Sequence, residues 1–175
     1  MNIKAPRRVF LAFGAIAIAA SILRPQISLA LVMRGDDLQF QGTPARAILM
    51  YRRAVGWDPN DRTAVDRLCF NETITHNRDF VVDAIVVASG YLKRQPNDAE
   101  ILFDRALSFE MLRRYKSAVH DFVLSGRLRR DSRTLTFAGF AARRAGERAR
   151  AHALFAEAMR YDPRYTPAKN GFDKW

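Results

Sequence analysis

The sequence predicts an all-α chain: a short α-solenoid of about four helix-turn-helix units behind an N-terminal transmembrane or signal helix. Three observations point there. An uncharged run from Val9 to Leu23 follows a basic tip made by Lys4, Arg7 and Arg8. A fixed spacing of alanines, an aromatic and a proline recurs down the rest of the chain. Helix-breaking residues fall between the recurring segments, at Gly42-Thr43-Pro44, around Asn77, at Arg113-Arg114 and at Gly146.

The N-terminal run, VFLAFGAIAIAASIL, has only Gly14 and Ser21 as non-hydrophobic members and stops at Arg24-Pro25. At ~1.5 Å per residue it covers about 22 Å, short of a ~30 Å hydrocarbon core unless Arg24 snorkels and Ile27 to Met33 contribute. A basic tip before an apolar run is the pattern of a signal anchor or signal peptide. The positive tip places the amino terminus in the cytoplasm and the body across the membrane. Ala17-Ile18-Ala19 and Ser28-Leu29-Ala30 are small-x-small cleavage patterns, so a soluble periplasmic product is the alternative to a single-pass inner-membrane protein. Arginine exceeds lysine 24 to 5, which fits a GC-rich bacterial genome.

The recurring pattern is A-x3-[aromatic]-x2-A-x4-P. Ala47, Tyr51, Ala54 and Pro59 carry it first, and Ala151, Phe155, Ala158 and Pro163 repeat it position for position. Ala118, Phe122 and Ser125 keep the spacing, with Arg130 where the proline would fall. In a fourth copy, Ala84, Ala88, Tyr91 and Pro96, the aromatic has moved one turn along. Small residues let two helices approach, an aromatic fills the gap, and proline stops the second helix. Pro44 suits a first helical position, and Asp58-Pro59-Asn60-Asp61 and Gln95-Pro96-Asn97-Asp98 read as turns whose Asn or Asp can cap the next helix.

With these residues the chain resembles the tetratricopeptide-repeat family. The steps Ala84 to Ala118 and Ala118 to Ala151 are 34 and 33 residues, while Ala47 to Ala84 is 37. Gly35 and Leu38, then Leu102, Ala106 and Phe109, then Leu135, Gly139 and Ala142 fall where that family places its large-small-large packing set. The family's leading Trp is absent, and Thr63 to His76 matches poorly. The basic tip and apolar run give an anchor or signal over 1–27; the resemblance covers repeats over 28–165 (units of about 28–61, 62–98, 99–131 and 132–165), and the remainder, 166–175, is a tail or cap that ends in Trp175.

Composition and motifs narrow the function. With 49% hydrophobic residues the chain is too apolar for disorder, and its single cysteine cannot form an internal disulfide. It has no G-x-S-x-G, phosphate-binding loop, C-x-x-C or H-E-x-x-H, and His76, His120 and His152 are more than thirty residues apart. We therefore expect no enzyme, metal, cofactor or small-molecule substrate. His120 and Asp121, as neighbours on a helix, are expected to point to different faces. Cys69 reads as a small buried hydrophobe, and Asn71-Glu72-Thr73 lies in a helical pattern unsuited to glycosylation.

The net charge of +11 is uneven. Residues 1–27 carry +4, residues 28–112 carry −2, residues 113–150 carry +8 and residues 151–175 carry +1. The resemblance implies a groove lined by one side of each leading helix, which binds peptides or partner helices. Carried over, it is lined by Glu100, Phe103, Leu107, Glu110 and Met111, then by Arg133, Thr136, Phe140, Arg143 and Arg144. Apolar side chains beside arginines suit a protein partner with an acidic and apolar segment, or docking onto a larger membrane assembly. The expected function is a non-catalytic interaction scaffold, with Phe103, Leu107, Glu110, Met111, Arg133, Phe140, Arg143 and Arg144 as partner-binding residues. The alternative is a basic surface for anionic lipid, a cell-surface polymer or nucleic acid. Nucleic acid is disfavoured by the export signal and by the few aromatics in the basic block.

Overall fold

The computed structural model describes residues 7–173, with side chains from Ser21 onward. Among the described residues there is no strand, and the helices run in order: α1 (Arg7–Phe40), α2 (Pro44–Trp57), α3 (Arg62–Ile74), α4 (Arg78–Leu92), α5 (Ala99–Met111), α6 (Tyr115–Arg129), α7 (Ser132–Arg144), α8 (Arg148–Tyr161) and α9 (Thr166–Asp173). Residues up to Ala64 form one compact unit and residues from Val65 onward a second.

In the first unit, α1 does not break at Arg24-Pro25. Pro25 lies inside the helix, on an exposed position. The predicted membrane-crossing run falls largely on residues 9–20, whose side chains lie outside the described residues. Among the described residues, no helix is long and apolar enough to cross a membrane. Farther along, α1 packs on α2. The Tyr51 ring fills the space left by Gly35, where an added Cβ would sit 2.3 Å from the ring. The Tyr51 hydroxyl donates to Asp36 Oδ1 at 2.8 Å. Ser28, fully buried, donates to Asp61 Oδ2 at 2.7 Å and to the Ala54 carbonyl at 3.3 Å.

The second unit repeats this construction. Phe155, fully buried on α8, sits against Gly139 of α7, where a Cβ would be 2.5 Å from the ring. The same ring meets Gly171 of α9 at an equal 2.5 Å, so α9 closes over α7 and α8 where a further leading helix would begin. Trp175 lies outside the described residues. In the middle pair, Ala106 stands one period before Gly139 and is buried in one core with Phe122, Leu135 and Phe155. The α3–α4 pair reverses the sizes. Cys69 takes the small-residue place and its thiol approaches the Ala84 carbonyl at 3.5 Å, while Ala88 stands where the other pairs have an aromatic. A larger leading-helix residue thus meets a smaller second-helix one, which explains why this unit matches the pattern poorly.

The helix ends follow the sequence. Asp98 accepts from the amides of Glu100 and Ile101, Asp131 from those of Arg133 and Thr134, and Asp61 from that of Ala64. Within each pair the turn needs one left-handed residue: Gly42 (φ 72°), His76 (56°), Arg113 (57°) and Gly146 (79°). Arg130 (52°) does the same between α6 and α7, in place of the proline.

Gly139→Val should push its side chain into the Phe155 ring and cost about 1–3 kcal/mol, read as a fall in thermal midpoint. Gly90→Ala, with open space around the added Cβ, should leave the midpoint unchanged or raise it.

Candidate functional site

The leading helices of the second unit border a cleft of about 570 Å³. The end of α3 contributes Thr73, Ile74 and, from its turn, His76. The end of α5 contributes Leu107, Glu110, Met111 and, from its turn, Arg113, with Tyr115 opening α6. Phe137, Phe140 and Arg144 come from α7. Ile74 is 47% exposed, Met111 41% and Phe137 36%, so three exposed large apolar side chains meet at one concavity, while others, such as Phe40 and Val86, lie outside its lining. Glu110 and Arg144 form an ion pair that ties α5 to α7 across the wall.

Of the residues predicted for partner binding, Leu107, Glu110, Met111, Phe140 and Arg144 are brought together at this cleft. Phe103 supports its floor: the ring packs edge-on against Phe122 at 5.5 Å and Phe137 at 5.9 Å. Arg143 lies over the Phe140 ring at 5.1 Å, and Arg133 is exposed at the start of α7, away from the lining. Glu100 is paired with Arg129 at 2.7 Å, and buried Thr136 donates to the Ser132 carbonyl at 2.8 Å. The groove positions implied by the family resemblance do not include Ile74, His76, Arg113, Tyr115 or Phe137. The breaks at Asn77 and Arg113-Arg114 were the only hint that turn residues would join the wall.

The basic block is not a uniform cationic face. Arg127 makes a two-pronged pair with Glu157, at 2.8 and 2.9 Å, and Arg150 meets Glu147 at 3.1 Å. Arg105, on the neighbouring α5, grips buried Asp121 through Nε at 2.7 Å and Nη2 at 3.0 Å. His120 also reaches Asp121, Nδ1 to Oδ1 at 2.9 Å, which corrects the expectation that these neighbours point apart. Asp121 Oδ1 is shared, lying within hydrogen-bond distance of both Arg105 Nη2 and His120 Nδ1.

Chemistry elsewhere is sparse. Burial, and then the charges of Asp104, Glu72 and Asp66, push the Cys69 thiol well above its ordinary range, so it does not supply a thiolate. Asn71, Glu72 and Thr73 are all buried, closing the formal glycosylation triplet to modification. Among the described residues no group of histidine, cysteine or carboxylate side chains is gathered to hold a metal.

Solved structures match this arrangement. A crystal structure of the MamA protein superposes with a TM-score of 0.69 over 91% of this chain and 88% of that one, at 17% identity. The chain has a tetratricopeptide-like fold. MamA 41-end from Desulfovibrio magneticus RS-1 gives a TM-score of 0.67 at 16% identity, covering 79% of this chain and 77% of that one. A tetratricopeptide repeat protein from Parabacteroides merdae ATCC 43184 gives 0.68 at 17%, covering 83% and 57%. No family model matches the sequence, and no curated protein does. At these identities the likeness establishes the repeat architecture, while the cleft's chemistry belongs to this chain's own residues.

Two carboxyls beside the tetratricopeptide-like core link its stability to pH. Burial pushes Asp131 up, but hydrogen bonds from the Thr134 hydroxyl and the Arg133 and Thr134 amides, with the Arg129 charge, outweigh it and hold it low. The hydrogen bond from Arg127 holds Glu157 low. A carboxyl lowered on folding stabilises fully above its unfolded value and loses that contribution as pH falls through the folded one. Asp131→Ala should therefore cost about 1 kcal/mol at pH 7. That difference should begin to shrink below about pH 4, where the unfolded chain's carboxylate protonates, and go on shrinking as pH falls toward the lower folded value; denaturation curves at pH 7 and pH 3 check it.

Proposed function

We propose that this chain is a non-catalytic interaction scaffold that holds a protein partner in the α3–α5–α7 cleft. The single observation that carries the reading is the convergence of exposed Ile74, Met111 and Phe137 with Leu107 and Phe140 on one concavity. A surface that spends apolar area in this way is matched by a partner's apolar side chains. The repeat architecture supports it, since stacked helix pairs leave one side of each leading helix available.

The scaffold sits on the bacterial inner membrane, crossing once through residues 9–23, with its repeats on the periplasmic side. The basic tip and apolar run support that placement, and so does the continuous α1, which carries the same helix from Arg7 to the first repeat. Cleavage after Ala30 would remove Ser28, whose hydroxyl joins α1 to Asp61 and Ala54. This favours retention of at least that part of α1. The reading as a basic lipid, polymer or nucleic-acid surface is weakened by the carboxylates paired with Arg127, Arg129, Arg144 and Arg150.

Met111→Glu, at an exposed position, should leave the thermal midpoint unchanged and reduce partner capture from solubilised membranes at least tenfold. Equal capture by wild type and variant would contradict the cleft. Alkaline phosphatase fused after residue 175 should be active, and an inactive fusion with a stably expressed chain would contradict the periplasmic placement.

A further inference from the structure

Beside the cleft lies a second hollow of about 240 Å³, lined by His76, Arg78, Val81, Met111, Leu112 and Arg113. His76, Met111 and Arg113 line both, so the two concavities share a border. Their charges differ. The cleft's carboxylate, Glu110, is already paired with Arg144. The hollow is lined by two guanidinium groups and an imidazole and by no carboxylate. Asp79, the next residue after Arg78, is not part of the lining.

The turn backbone places His76 and Arg113 in the hollow's wall. The four turns inside the helix pairs need a left-handed residue, and Gly42 and Gly146 supply it in the first and fourth. The other two turns use His76 and Arg113, which adopt that conformation at a cost glycine avoids. The two turns that forgo glycine are the two that contribute His76 and Arg113 to the hollow, beside Arg78 at the start of α4.

Resting on the reading of the cleft as a partner site, we infer that the partner segment is acidic as well as apolar. Its carboxylates are read by His76, Arg78 and Arg113, and not by Arg143 and Arg144. Charge complementarity selects this occupant. An apolar side chain enters between Leu107, Phe137 and Phe140, and adjacent carboxylates meet the hollow, where guanidinium groups offer paired donors. Arg144 is committed to Glu110, and Arg143 lies over Phe140 instead of facing the cleft. A segment of polypeptide suits the site better than a free amphiphile. Small-molecule sites bury most of their ligand's surface, whereas Ile74, Met111 and Phe137 form open walls.

The test uses the full-length chain in detergent and two pools of fluorescein-labelled synthetic 12-residue peptides. One pool places two leucines at varied spacing before two glutamates, and the other replaces the glutamates with glutamine. Anisotropy should show the wild type binding the glutamate pool at least tenfold more tightly. Arg78→Glu with Arg113→Glu should abolish that preference, Arg143→Glu should keep it, and Ile74→Gln, at an exposed position that lines the cleft but not the hollow, should weaken both pools. A preference that survives the double substitution, is lost in Arg143→Glu or is absent in the wild type would overturn the assignment. Capture of phosphatidylglycerol vesicles through Arg78 and Arg113, without any peptide preference, would overturn it too. In each of these cases, weakening of both pools by Ile74→Gln would leave the cleft standing as the partner site. No effect of Ile74→Gln would take down cleft and hollow together.

Discussion

The structure depends on an aromatic ring set into the space of a missing side chain. Tyr51 against Gly35, and Phe155 between Gly139 and Gly171, let a second helix lie close to its leading helix. Truncating a buried aromatic of this size typically costs about 3–5 kcal/mol, so these rings dominate local stability. Polar contacts then fix the register. The Tyr51 hydroxyl holds Asp36, the Tyr91 hydroxyl meets Asp98 at 3.1 Å, and Ser125 donates to the Ala99 carbonyl at 2.6 Å. With the second helices buried against one side of the leading helices, the other side of α3, α5 and α7 is left to form a cleft. The site is thus a by-product of the packing rule, given its chemistry by what occupies the free side.

That rule explains how much could be read from sequence. Alanine, aromatic and proline spacing marked the second helices because each residue there has one steric task. Pro44, Asp61 and Asp98 start helices as their chemistry predicts. The α3–α4 pair was hard to read because it satisfies the same volume in reverse, with Cys69 opposite small residues. Its interior also carries polar side chains, including the contact of Thr73 with Ser108 at 2.7 Å. Complementary volume is a property of a pair, and a pattern written for single positions does not register it.

The cleft was legible in part for the same reason. Leu107, Met111, Phe140 and Arg144 come from the groove positions that the family resemblance implies, whereas Phe103, implied in the same way, is turned down onto Phe122 by an aromatic cluster. His76 and Arg113 enter the wall because they take a left-handed conformation usually filled by glycine, so their direction was not visible in a helical reading. The net charge of +11 likewise divides on inspection of partners. Arg127, Arg129, Arg144 and Arg150 are paired within the fold, while Arg78 and Arg113 line a hollow without a carboxylate. Distribution relative to carboxylates, rather than the total, decides which cations face a partner.

The central claim is that the partner occupies the leading-helix side of the second unit. Site-specific photo-crosslinking in intact cells tests it most directly, with benzoylphenylalanine placed at Phe137 on α7, Val86 on α4 or Leu128 on α6, all exposed in the free chain. A single partner adduct from position 137, with none from 86 or 128, is the expected result. An adduct of equal yield from 86 or 128, or none from 137 in a chain that folds and reaches the membrane, would contradict it.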